Sequence, residues 1–150
     1  MAEYEIKRLS EADEPSVKAI AELLEQLTPT RMEFSEQRLA QIVRSTSSQL
    51  YVMLHRGDDG DRRIVGMLTL GIYLSPTGRK VWVEDVVVDQ KYRGRGLGRA
   101  LIDHAVELCR EELSPCTLML TSNPARIEAN GLYRSAGFKP KQTNVYKMNL

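Results

Sequence analysis

Chemistry in this chain concentrates in the run Val86-Val87-Val88-Asp89-Gln90-Lys91-Tyr92-Arg93-Gly94-Arg95-Gly96-Leu97-Gly98-Arg99-Ala100-Leu101, where a β-branched stretch passes through a basic, glycine-rich turn into an amphipathic helix. A helix leaves its first backbone N–H groups without partners and carries about half a positive charge at that end. An oxyanion placed there gains donors and field together, and glycines let it come close to the backbone, so the order of these residues suits a phosphate. Two familiar phosphate loops are excluded by spacing. A P-loop needs Gly-Lys followed by Ser or Thr, whereas Gly98 is followed by Arg99 and Ala100; the dinucleotide fingerprint needs G-x-G-x-x-G, whereas Gly94, Gly96 and Gly98 run G-x-G-x-G.

The pattern that fits is Arg93-x-x-Gly96-x-Gly98, which resembles the acyl-CoA pyrophosphate loop of the Gcn5-related N-acetyltransferase (GNAT) superfamily. Glu84-Asp85-Val86-Val87-Val88 precedes it as the fourth strand of that family does, and Leu101-Ile102 follows on the helix. Further on, Arg126-x-x-Ala129-x-x-Leu132-Tyr133-x-x-x-Gly137-Phe138 resembles the second family signature, a helix that ends in Tyr and then Gly-Phe. Many family members carry an Asn where Arg126 stands, and it hydrogen-bonds the CoA chain. Here Asn123, Arg126 and Asn130 are the candidates for that contact.

The resemblance implies transfer of an acetyl group from acetyl-CoA to a primary amine. An ammonium near pKa 10 must lose a proton before it attacks. Glu84 occupies the position of the family's strand carboxylate and is the expected general base. Successive strand residues point to opposite faces, so only one of Glu84 and Asp85 can serve a given side; Asp85 is left to bind a substrate cation or support the turn. The alternative for Glu84 is an ion pair with Arg79 or Lys80. Tyr133 matches the family tyrosine and is the expected acid for the departing thiol. Backbone groups of Val86, Val87 and Val88 are expected to pair with the pantetheine amides as an added strand would. Arg93, Gly94, Arg95, Gly96, Leu97, Gly98 and Arg99 complete the expected cofactor site, with backbone donors dominating.

These groups need a scaffold, and the composition supplies one. The chain has 150 residues, 42% of them hydrophobic, which is one domain's worth (1–150) and allows roughly two thirds of the unfolded surface to be buried. Lys+Arg 21 against Asp+Glu 20 leaves a net charge of +1, which argues against nucleic acid or an anionic membrane as partner. The first residues lack a basic and an apolar leader region, and no run reaches the length of a membrane span, so a soluble, cytoplasmic protein is expected. Cys109 and Cys116 give neither a disulfide framework nor metal-ligand spacing; no metal is expected.

Apolar spacing predicts a strand over 3–9, a helix over 14–27 with Pro15 in its first turn, and a second helix capped by Ser35. Strands follow at 50–55, 64–74 and 79–89, then the helix after the loop, a long strand at 117–121, a helix over 125–136 and a last strand at Asn144–Met148. The expected fold is α/β (α+β): a mostly antiparallel, twisted mixed sheet of six to seven strands flanked by about four helices.

The acceptor is less legible, because the family reuses one cofactor platform with many pockets. The segment 28–34 is where the family builds its acceptor wall, and there Arg31 is the candidate for an acceptor phosphate or carboxylate. Trp82 and Tyr73 fall near the same side, with core packing as their alternative. The run Val83–Val88 also looks like that of glucosamine-6-phosphate N-acetyltransferases, but Thr121-Ser122-Asn123-Pro124-Ala125-Arg126 does not look like their corresponding region. A small-molecule amine is therefore expected, with a protein or peptide amine as alternative. A homodimer joined through sheet edges or C-terminal strands is a further expectation of the resemblance. A non-catalytic acyl-CoA-binding module is the competing class, opposed by the presence of both Glu84 and Tyr133.

Overall fold

The computed structural model describes residues 3–150. One sheet runs in the order β1 (Tyr4–Arg8), β2 (Ser48–Arg56), β3 (Arg62–Ser75), β4 (Gly78–Val88), β5 (Thr117–Met119). The first four strands are antiparallel neighbours, and β5 joins β4 in parallel. Helices α1 (Glu14–Leu27), α2 (Glu36–Arg44), α3 (Leu97–Leu108) and α4 (Ile127–Ser135) complete the fold, and α3 runs on into a wider turn over Cys109–Leu113.

Local chemistry sets several of these boundaries. The Asp13 carboxylate accepts from the Ser16 N–H at 2.9 Å and starts α1. The helix ends at Thr28, whose extended backbone is what the following Pro29 requires. Ser35 caps α2 by accepting from the Arg38 N–H at 3.1 Å.

The helices form two layers. On one face α1 and α2 bring Ile20, Leu23 and Leu39 onto Leu50, Val52, Met67 and Val87. On the other, α3 lays Leu97, Leu101, Ile102 and Ala105 over Tyr51, Met53, Val65, Leu68, Leu70, Val81 and Val83. Burying each such aliphatic side chain is worth about 1.5–3 kcal/mol, so both stripes are held firmly. Gly66 makes the α3 contact possible: a Cβ there would meet the Val87 carbonyl oxygen at 3.2 Å and the Leu101 side chain at 3.4 Å.

Three expectations need correction. Among the described residues the sheet has five strands, not six to seven. The long strand at 117–121 pairs only over Thr117–Met119. The last strand at Asn144–Met148 does not form: residues 139–150 are exposed and carry no regular element. Alternation at 144–148 gives strand propensity, but a strand exists only when it pairs with a neighbour, and residues 144–148 pair with no strand of the sheet. Cys109 is buried among apolar side chains beside Cys116, which pushes its thiol up to about 12 and leaves it a packing group.

Candidate active site

The glycine turn joins β4 to α3 through a short turn of 3-10 helix, Gln90–Tyr92. Gly94 and Gly96 both adopt φ +77°, and no atom lies within 4 Å of where a Cβ would stand on either. The first bond of α3 runs from the Ala100 N–H to the Gly96 carbonyl at 3.0 Å. The N–H groups of Leu97, Gly98 and Arg99 come before it, and no side chain caps this end. Open donors behind two bare glycines fit a pyrophosphate. Gly98 is more closely surrounded. A Cβ there would lie 3.8 Å from Leu132 and 4.0 Å from Val88, so it sits where α3, α4 and β4 meet.

The loop arginines are engaged with the protein. Arg93 Nε donates to the Val88 carbonyl at 3.0 Å, and Arg95 Nη1 donates to the Tyr4 hydroxyl at 3.0 Å. Arg99 Nε reaches Asp103 at 2.9 Å while its Nη1 reaches the Ser135 hydroxyl at 2.9 Å, tying α3 to α4.

The carboxylate pair sits on a bulge. Thr69 pairs with Glu84 and Met67 with Val87, so Leu68 alone faces both Asp85 and Val86. Asp85 takes φ 51°, the left-handed position that a glycine fills in many bulges. The alternation used to assign opposite faces to Glu84 and Asp85 therefore fails at this step. Glu84 itself shares a row with Thr69 and Leu50, on the face covered by α1 and α2. The expected competing ion pairs are absent among the described residues. Arg79 donates to the Leu113 carbonyl at 2.7 Å, and the Lys80 ammonium is drawn to Thr77 at 2.6 Å and Ser75 at 3.1 Å. Both carboxyl groups are partly desolvated although much of each residue's surface is open. Burial, and then the Asp85 charge, push Glu84 above its ordinary value, and burial does the same to Asp85.

Beside this bulge the sheet opens. β4 and β5 pair only at Lys80–Thr117, Val81–Leu118 and Trp82–Met119, and β4 continues alone on that side to Val88. Val86 and Val88 pack with α3 and α4 on the face opposite α1. Tyr133 belongs to the same cluster, and the Gly-Phe signature explains its placement. Gly137, at φ 106°, donates its N–H to the Arg134 carbonyl at 3.0 Å, and the Phe138 N–H reaches the Tyr133 carbonyl at 3.0 Å. This pair of bonds is a Schellman cap, and the Phe138 ring meets Tyr133 edge-on with centroids 6.2 Å apart. The Tyr133 hydroxyl makes no hydrogen bond among the described residues and keeps contact with solvent.

The turn between β5 and α4 is tied by its own asparagines. Asn123 Oδ1 accepts from the Ala125 N–H, and Asn130 Nδ2 donates to the Asn123 carbonyl, each at 2.9 Å. The Arg126 side chain is exposed and uncommitted among the described residues. Ser122 was not singled out by the sequence, yet its buried hydroxyl has no partner. An orphaned hydroxyl costs free energy unless a ligand meets it; only its burial reveals it, and no local pattern carries that signal.

On the Glu84 side, Gly71 pairs with Trp82 and leaves open space where a Cβ would be. Trp82 Nε1 donates to the Tyr73 hydroxyl at 3.3 Å, and Tyr73 is 49% exposed, so neither aromatic belongs to the buried core. Arg31 lies exposed between α1 and α2, apart from any hydrogen bond among the described residues.

Known proteins share this fold. A model of the acetyltransferase (GNAT) family matches residues 17–138. The structure is similar to an acetyltransferase from Trypanosoma brucei, with 31% identity over 98% of this chain and 99% of that one at a TM-score of 0.76. An aminoglycoside acetyltransferase from an uncultured soil sample, crystallised with trehalose, shares the fold at TM-score 0.84 and 19% identity, covering 99% and 97% of the two chains. Glucosamine-6-phosphate N-acetyltransferase from Arabidopsis thaliana does so at TM-score 0.76 and 21% identity, with 97% of each covered. With a family model over residues 17–138 and a 31% identical neighbour that matches nearly the whole chain, the chain belongs to the acetyltransferase (GNAT) family and is an acyltransferase.

Proposed function

We propose that residues 1–150 form one N-acetyltransferase domain that moves an acetyl group from acetyl-CoA to a primary amine of a small molecule in the cytoplasm. The observation that carries the reading is Glu84: a partly desolvated carboxylate, free of cation partners among the described residues, at a bulge beside the open stretch of β4. Acetyl-CoA is the donor used by the family, and the structural neighbours include enzymes named for aminoglycoside and glucosamine-6-phosphate acetylation. No helix among the described residues is long and apolar enough to cross a membrane.

Bound acetyl-CoA supplies the activated acyl group. In our reading its pyrophosphate is held by the N–H groups of Gly96, Leu97, Gly98 and Arg99, with Gly94 giving close approach and Arg93 beside it. The free edge of Val86, Val87 and Val88 orders the pantetheine arm, and Asn123, Arg126, Asn130 and the Ser122 hydroxyl bound it from the α4 side. The acceptor lies along Trp82 and Tyr73 with its nitrogen at Glu84. Glu84 removes the ammonium proton, and its raised pKa makes it a better base than an ordinary glutamate. Asp85 holds positive charge on the acceptor, Arg31 an acidic group, and the Tyr133 hydroxyl hands a proton to the departing sulfur. Two copies pair, a reading supported by the unpaired outer edge of β5 and exposed Val145, Tyr146 and Met148.

Free-thiol release from acetyl-CoA, measured across amino acids, amino sugars, polyamines, aminoglycosides and basic peptides, tests this. Release with one amine class, lost in Glu84→Gln and reduced in Tyr133→Phe, is expected. Tight acetyl-CoA binding with no amine-dependent release from any class would favour the binding-module alternative.

A further inference from the structure

We propose that Tyr4, His55, Tyr92 and Arg95 form a closed brace that sets the shape of the glycine turn before the cofactor arrives; the idea rests on the cofactor reading above. Tyr4 on β1 is paired with His55 on β2, and their rings stand 5.0 Å apart at 36°. His55 meets Tyr92 at 5.1 Å and 57°. The Arg95 guanidinium lies 5.2 Å from the Tyr92 ring centre, and its Nη1 closes the circuit by donating to the Tyr4 hydroxyl at 3.0 Å.

Tyr92 and Arg95 lie on either side of Gly94, so the turn is pinned at both ends to two strands far away in sequence. That matters because Gly94 and Gly96 have more backbone freedom to lose than any other residue type. A turn left free would lose that entropy on binding; a pinned turn has lost it during folding, and its donors already converge. The brace also reassigns Arg95. Its Nη1 is held by Tyr4 and its guanidinium by the Tyr92 ring, so it acts as a latch on the turn. All four are positioning residues.

Three variants and two donors test this. CoA binding is followed by calorimetry, and the KM and kcat of acetyl-CoA are compared with those of S-acetylpantetheine, which lacks the diphosphate. Tyr4→Phe deletes only the oxygen that holds Arg95, His55→Ala breaks the stack, and His55→Phe restores an aromatic ring. Tyr4→Phe and His55→Ala are expected to weaken CoA binding by about three- to tenfold and to raise the acetyl-CoA KM with kcat held. His55→Phe stays near wild type, and S-acetylpantetheine turnover is unchanged in all three. An unchanged CoA affinity in both Tyr4→Phe and His55→Ala overturns the brace, as does an equal loss with S-acetylpantetheine. Wild-type protein that fails to bind CoA overturns the cofactor reading itself, and the brace with it.

Discussion

The glycine turn and the bulge lie at neighbouring points on the same chain, yet they treat charge in opposite ways. In the turn, Arg93, Arg95 and Arg99 each hold a protein partner. At the bulge, Glu84 and Asp85 have none among the described residues, and burial works against their ionised forms. Paired groups hold a shape; unpaired ones store reactivity at a cost to stability. Under the function proposed above, the contrast becomes a division of labour, in which backbone donors bind and side-chain carboxylates react.

The largest effect should come from the unpaired side. Glu84→Gln is expected to lower kcat by about 10²–10⁴-fold while acetyl-CoA affinity holds, measured by steady-state kinetics beside calorimetry. It should also remove the acid limb of the kcat/KM profile, which in the wild type lies above the ordinary glutamate range because the folded pKa is raised. Loss of binding in parallel with rate would erase the distinction between the two regions.

On the paired side, Gly96→Val forces a β-branched residue into φ +77°. Strain of about 1–3 kcal/mol corresponds to roughly five- to 150-fold weaker acetyl-CoA binding by calorimetry. Arg99→Ala should weaken binding less than that. Its exposed pair with Asp103 and its tie to Ser135 are worth about 0–1 kcal/mol, read as a small fall in unfolding midpoint. An arginine effect larger than the glycine effect would mean that side chains, not backbone, carry the phosphate.

The smallest effects are on stability and have opposite signs. The raised pKa of Glu84 means the folded chain holds that proton more tightly than the unfolded one. Its contribution is full in acid and is lost as pH rises through the folded value. Glu84→Gln should therefore melt about one degree above wild type at neutral pH, with the gap closing in acid. His104 runs the other way. Burial, partly opposed by Glu112, pushes it below its ordinary value, so its contribution is full above the usual histidine range and is lost as pH falls toward the folded value. His104→Phe should flatten that acid loss in thermal melts; an unchanged slope would place the titration elsewhere.

What the sequence makes legible is what local chemistry decides. The bounds of α1 follow from Pro15, the spacing of Val17, Ile20, Leu24 and Leu27, and the break at Pro29, and the turn into α3 follows from Gly94 and Gly96 ahead of an amphipathic helix. What stays hidden depends on distant partners. The bulge exists because β3 offers Leu68 alone against Asp85 and Val86, which no period-two pattern reveals. The engagement of Arg95 depends on Tyr4, 91 residues away, and that of Arg99 on Ser135, 36 residues away. Asn144–Met148 looks like a strand for the same reason in reverse: local propensity is present, and no pairing with a sheet edge is made.

The short pairing of β5 against the long β4 also predicts a footprint in time. On either side of the Asp85–Val86 bulge, the amide hydrogens of β4 turn alternately toward β3, where they are locked in a ladder, and toward the gap beyond Trp82 that β5 leaves open. Deuterium should enter this strand at two rates, slow at amides in the β3 ladder and fast at those turned to the gap, with the order of fast and slow residues broken at the bulge. A ligand filling the gap would slow only the fast set, so exchange could report occupancy one amide at a time, with no turnover required.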